Sequence, residues 1–247
     1  MRLLRLAKNV SIGINNIIQS GVVIHPGVTI GNNNKIYDGT IIYPNTTIGN
    51  NNVILNDNIL GEHPIEASEI FTEKKFNGLE IGDDNFFHVK NLVFTGSRGK
   101  TKIGDNNKLL AENHIGHDTH ITSDVVIYPR CITGGLSTLL PYSTMGMYST
   151  IQQNSVMGRY SMLGMGNISS HNIFPFYIFA GNKYLRPNHY KIPEELKVQQ
   201  YEHHLKDLIQ KLKEDFDREI VISNPFLPEA IKTILIEFID NCKNTKI

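Results

Sequence analysis

Ile24-His-Pro-Gly-Val-Thr-Ile30-Gly-Asn-Asn-Asn-Lys-Ile36-Tyr-Asp-Gly-Thr-Ile-Ile42-Tyr-Pro-Asn-Thr-Thr-Ile48 places an isoleucine at every sixth position. The same spacing extends back through Ile18 to Ile12 and forward through Ile54 to Leu60. It returns at Ile81, Phe87 and Val93, changes phase, and continues as Ile103, Leu109, Ile115, Ile121 and Ile127. Thr133 breaks the aliphatic rule before Leu139, Met145, Ile151, Met157 and Leu163 resume it. Neither the 3.6-residue period of a helix nor the two-residue period of a strand produces this pattern. A triangular coil of three short strands does, with one inward residue per face and coils stacked like the strands of a parallel sheet. The spacing therefore predicts an all-β solenoid, a left-handed parallel β-helix of hexapeptide repeats over residues 1–190.

Asn32-Asn33-Asn34, Asn50-Asn51-Asn52, Asp83-Asp84-Asn85 and Asp105-Asn106-Asn107 follow the repeats' Ile-Gly pairs. Asn and Asp tolerate the left-handed backbone that tight corners require, so these runs read as corners rather than as a ligand tract. Two segments, 62–80 and 95–102, interrupt the coils and read as loops, which in solenoids often gather on the binding side. The repeat fades after Ser169, and Phe174-Pro-Phe-Tyr-Ile-Phe-Ala-Gly-Asn182 reads as its exit. Residues 191–247 turn helical. Leu196, Tyr201, Leu205, Leu208, Ile209, Leu212 and Phe216 make an apolar stripe suited to packing on the solenoid end, and a second helix is predicted over about 228–242.

Composition excludes several classes. Lys and Arg number 24 and so do Asp and Glu, which gives no electrostatic reason to expect nucleic acid. Cys131 and Cys242 form no redox or ligand motif, which fits a reducing compartment. No run approaches the ~18–20 apolar residues of a membrane span, and residues 1–8 carry no leader-like apolar core. A cytoplasmic protein without a membrane span is the expectation.

The chemistry concentrates in Glu112-Asn-His114-Ile-Gly-His117-Asp118-Thr-His120. Three histidines in seven residues raise the question of zinc. His114 and His120 are six apart, however, and point from adjacent faces of the triangle, so one chain cannot close them on one ion. A metal shared between subunits, as in β-helical carbonic anhydrases, and histidines without a role are the alternatives. The coil period of 18 stacks Gly135 and then Gln153 in the column of His117. A neutral His117 can take a proton from a nucleophile, Asp118 can orient its ring, and the Gly135 N–H can meet a developing oxyanion. That column is suited to acyl transfer.

His114-Ile-Gly-His117-Asp118 resembles the His-x-x-His-Asp motif of the acyl-carrier-protein-dependent UDP-N-acetylglucosamine O-acyltransferases of lipid A synthesis. The resemblance covers the repeats, both loops, the Gly181-Asn182 exit and the C-terminal helices. It implies His117 as general base, with Asp118 beside it, and Gly135 as oxyanion donor. It further implies His114 and Lys75 at the substrate and Met165 at the position that ends the acyl groove; Gln153, from the column, and Asn182, at the exit, are expected at the substrate with them. It implies a homotrimer with sites between subunits, no metal and no cofactor. The donor is then the phosphopantetheine thioester of acyl carrier protein and the acceptor a nucleotide sugar. The chain departs from the family where two further histidines are expected, at Leu136 and Gln152. It also has Ile192-Pro-Glu-Glu-Leu196 in place of a Gly-Leu-x-Arg-Arg segment. Gln152 is counted with the substrate contacts all the same. Two rival readings remain open: an acyl-CoA-dependent O- or N-acyltransferase with another acceptor, and a catalytically silent β-helix that binds.

Overall fold

The computed structural model describes residues 5–64, 77–214 and 216–244. Among these, the six-residue period becomes short strands, two to five residues long, gathered into three sheets of nine, eight and ten strands. Each sheet is one face of a triangular, left-handed parallel β-helix. The first face runs from Arg5–Leu6 to Ile168–Ser169, the second from Ser11–Ile12 to Val156–Met157, and the third from Ile17–Ile18 upward. Pairing is in register at 18-residue steps, for example Ile24 with Ile42 and Ile121 with Leu139. The inward residues from Ile24 to Leu163 fill the interior as one continuous buried stack. Ile12 is partly exposed, because the first coil lacks a full neighbour below it. Thr133 points inward as its position demands, and its hydroxyl accepts the Gly116 N–H at 3.1 Å, so the lone polar member of the stack is satisfied.

The asparagine runs are corners, and the middle residue of each is left-handed: Asn33, Asn51, Asp84 and Asn106 have φ between 55° and 58°. The third residue does something the sequence reading did not anticipate. Asn34, Asn52, Asn85 and Asn107 are fully buried and form an amide ladder from coil to coil. The Asn52 N–H donates to Asn34 Oδ1 at 2.9 Å, the Asn52 Nδ2 donates to the Gly82 carbonyl at 2.9 Å, and Asn52 Oδ1 accepts the Asn85 N–H at 2.9 Å. Corner backbone buried under the next coil cannot reach water, so side-chain amides take over the missing partners.

The solenoid ends differently from the sequence reading. Tyr177–Ala180 joins the third sheet in parallel, and Lys183–Pro187 folds back antiparallel upon it. Gly181 and Asn182, with φ of 58° and 57°, form the two-residue turn of this hairpin, a turn that needs positive φ at both central positions. Two 3₁₀ turns lead into α1 (Glu202–Glu214), followed by a short α2 (Arg218–Ile222) that was not predicted and by α3 (Glu229–Asn244). The α1 stripe packs as expected: Leu205, Leu208, Ile209 and Leu212 join Phe238 and Ile239 of α3 against Leu140, Val156, Phe174 and Tyr177 of the last coils. None of the described helices is long and apolar enough to cross a membrane.

Replacing Asn52 by leucine leaves the Asn85 N–H and the Gly82 carbonyl without partners. A buried orphan costs about 1–3 kcal/mol, so Asn52→Leu is expected to lower the unfolding free energy by about 2 kcal/mol or more in urea titrations. Asn33→Gly, which keeps the left-handed corner, is expected to stay within about 1 kcal/mol of wild type.

Candidate active site

Both interruptions and the His117 segment lie at one edge of the prism. The first joins the first-face strand Ile59–Glu62 to the second-face strand Leu79–Ile81, and the second joins Leu92–Phe94 to Thr101–Ile103. His117 and Asp118 sit between His114–Ile115 and His120–Ile121, at the same corner.

Consecutive side chains on a strand point to opposite sides. Asp118 escapes that rule because it occupies the corner, with φ 57°. Its carboxylate therefore turns back to His117 Nδ1 at 2.7 Å. The second loop closes over the same carboxylate. The N–H groups of Ser97, Arg98 and Gly99 donate to it at 3.0, 3.0 and 2.7 Å, and the Ser97 hydroxyl at 2.9 Å. Burial alone pushes the Asp118 pKa up. The bonds from His117, the Gly99 and Ser97 N–H groups and the Ser97 hydroxyl outweigh it and hold the carboxyl well below the ordinary range. Asp118 is thus an anchored anion that fixes the imidazole with Nε2 outward. This function of the 95–102 loop was not legible in the sequence, where only its position was.

Gly135 lies directly against that ring. A Cβ built on it would come 2.5 Å from His117 Nε2, so any side chain here displaces the imidazole. Among the described residues the Gly135 N–H has no hydrogen-bond partner. An anchored imidazole and a glycine with a free N–H thus stand side by side. The arrangement can accept a proton at Nε2 and stabilise negative charge next to it.

The other predicted residues fall into separate groups. Gln152, Gln153 and Asn182 line one cavity farther along the same edge, together with His171, Tyr184 and Lys213, which the sequence reading missed. The signal for His171 was present, since it continues the 18-residue column of His117, Gly135 and Gln153. Lys213 carried no signal, being one of several lysines on a helix. His114 projects from the first face, exposed, with its ring tilted on Phe94, centroids 5.0 Å apart. Met165 is 70% exposed, at the corner between the third and first faces, and so does not pack inside the coil. Leu136 takes the left-handed corner after Gly135. Lys75 lies outside the described residues. Among those described, no group of three His, Cys, Asp or Glu side chains has metal-binding geometry.

No family model matches the chain. Two curated relatives, both acyl-[acyl-carrier-protein]–UDP-N-acetylglucosamine O-acyltransferases, come from Burkholderia thailandensis and Alkalilimnicola ehrlichii. They are 32% and 26% identical to it over 108 and 117 residues. These stretches are 42% and 44% of this chain and 41% and 45% of the relatives, so the match spans less than half of their length. The solved UDP-N-acetylglucosamine acyltransferase from Campylobacter jejuni superposes over 98% of this chain and 93% of its own, with a TM-score of 0.77 at 21% identity. That of Francisella novicida covers 99% and 87%, with a TM-score of 0.72 at 23% identity. The chain thus resembles this family in sequence over part of its length and in fold over nearly all of it.

The depressed pKa of Asp118 has a measurable consequence. A carboxyl that titrates lower folded than unfolded contributes stability that is complete above its unfolded value, near 3.9, and is lost as the pH falls below it. Wild type is therefore expected to lose more stability between pH 6 and pH 3 than Asp118→Asn, which has no proton to gain. Urea midpoints at the two pH values check this, and equal losses would show that the loop does not hold a charged carboxylate.

Proposed function

We propose that the protein is an acyltransferase that moves an acyl group, 3-hydroxyacyl in the family it resembles, from acyl carrier protein to a UDP-N-acetylglucosamine-like nucleotide sugar. The observation that carries the reading is the Asp118–His117 pair with Gly135, whose N–H is unpartnered among the described residues, packed against the imidazole. The names of the relatives and the superposed structures supply the substrate classes.

In this reading His117 Nε2 takes the proton of an acceptor hydroxyl as its oxygen attacks the thioester carbonyl. The carbonyl oxygen gains charge and accepts the Gly135 N–H, a donor already in place. Collapse breaks the carbon–sulfur bond, and the departing thiolate takes the proton back from the imidazolium. Asp118 stays ionised throughout and stabilises the charged ring. An N–H not engaged in the solenoid's ladder suits this task, since it need not surrender a bond.

The working form in this reading is a homotrimer. The first face carries an outward column of Val23, Ile41, Ile59, Leu92, His114, Ile132, Thr150 and Ile168, apolar except for His114 and Thr150, and Ile168 is 70% exposed. Packing such faces around a threefold axis covers them. It also answers a question of distance: Met165 stands at a different edge from His117 of its own chain, so a groove shared by the two takes them from neighbouring subunits. With Met165 at its end, that groove accepts a shorter acyl chain.

His117→Ala is expected to cut turnover by ~10²–10⁴ while the protein keeps its trimeric mass in light scattering. Near wild-type turnover with acyl carrier protein and with acyl-CoA donors would overturn the mechanism. Met165→Gly is expected to move the preferred acyl group to longer chains, because each methylene admitted to an apolar groove is worth ~0.8 kcal/mol. The check is a competition between acyl carrier proteins loaded with different chains.

A further inference from the structure

Farther along the edge that carries His117 lies the cavity lined by Gln153, His171, Asn182, Tyr184 and Lys213. Strand register places its histidine. His114 pairs with Ile132, Ile132 with Thr150 and Thr150 with Ile168, so His171 stands three coils above His117 in the same column. At ~4.8 Å per coil the separation is ~14 Å. That is the scale of an extended ligand arm rather than of a single group.

Lys213 enters from the last turn of α1, its ammonium 5.4 Å from the centre of the Tyr184 ring. That ring is anchored: the Tyr184 hydroxyl donates to the Asn172 carbonyl at 3.0 Å and accepts the Phe174 N–H at 3.3 Å. Among the described residues Lys213 has no carboxylate partner, and no carboxylate lines the cavity. The imidazole of His171 is likewise engaged by no hydrogen bond among them. One positive charge held over a fixed aromatic face, an imidazole and two primary amides thus line one cavity, and among the described residues nothing negative balances them. Phosphoryl oxygens are what such a set recognises.

We propose that this cavity is a phosphate subsite, in which Lys213 and His171, with Gln153 and Asn182, hold the phosphoryl oxygens of a ligand whose reacting end lies at His117. The assignment rests on the acyltransferase reading for that reacting end. It accounts for an otherwise puzzling loss, since Leu136, Gln152 and the segment 192–196 carry none of the imidazole and guanidinium groups that the resemblance leads one to expect there. In this chain the charge comes from a helix instead. Two sources offer the same chemistry: the diphosphate of a nucleotide-sugar acceptor and the phosphate of the donor's pantetheine arm.

Calorimetric titration of the whole protein with UDP, uridine, 4′-phosphopantetheine and pantetheine tests this. Wild type is expected to bind at least one phosphorylated ligand, with affinity that falls as salt rises. Lys213→Gln is expected to weaken that binding about tenfold or more and to flatten its salt dependence. His171→Gln should weaken it less, and Lys213→Arg should restore most of it. Uridine and pantetheine should not distinguish the variants. The phosphorylated ligand that loses affinity identifies the source. A lysine that serves only the helix end would shift the melting temperature and leave the salt dependence unchanged, and that result overturns the subsite. So does wild type that binds neither phosphorylated ligand. If Lys213-dependent binding holds but wild type transfers no acyl group, the acyltransferase reading falls and the subsite stands.

Discussion

Everything in this molecule depends on the vertical stacking of equivalent positions. Parallel strands repeat at ~4.8 Å, so an inward isoleucine meets the inward residue of the next coil in van der Waals contact only if the coil length is held constant. The corners hold it. Each must turn the chain onto the next face within a few residues, which the left-handed conformation achieves, and each buries backbone that water no longer reaches. The ladder from Asn34 through Asn52 and Asn85 to Asn107 satisfies that backbone. Aliphatic stack and amide ladder are complementary: one supplies burial, the other removes its cost at the corners.

A corner is also the one place where residues can be added without disturbing the sheets. The ladder spans 33 residues between Asn52 and Asn85 and 22 between Asn85 and Asn107, in place of 18. The faces nevertheless stay in register above and below. Both additions emerge at the edge that carries His117. The smaller one explains why: its Ser97, Arg98 and Gly99 N–H groups converge on Asp118, which could not otherwise remain charged while buried. The carboxylate in turn fixes the imidazole, and Gly135 leaves room for it. The geometry of this site is a product of solenoid corners, one bent by an insertion and the next left without a side chain.

The helices finish the other end. α1 and α3 bury the apolar surface of the last coils, and the same packing carries Lys213 to the rim of the edge cavity. Closure of the solenoid and the positive charge of the cavity thus share one element.

The period of six is a property of the chain itself, so fold class, inward residues and corners were legible in the sequence. The 18-residue column is legible for the same reason and by itself aligns His117, Gly135 and Gln153. Resemblance supplied their roles. What sequence could not give was whatever depends on two corners or two elements meeting. The turn of Asp118 onto His117 follows from a single left-handed φ, and the closing of the 95–102 loop follows from the anion it finds there. The hairpin at Gly181-Asn182, the short helix α2 and the arrival of Lys213 in the cavity that His171 lines arise from end-packing, which has no period to read. Met165 shows the boundary between the two. Its place in the repeat is plain from the sequence, but that it faces outward at a different edge from His117 emerges only when the triangle closes.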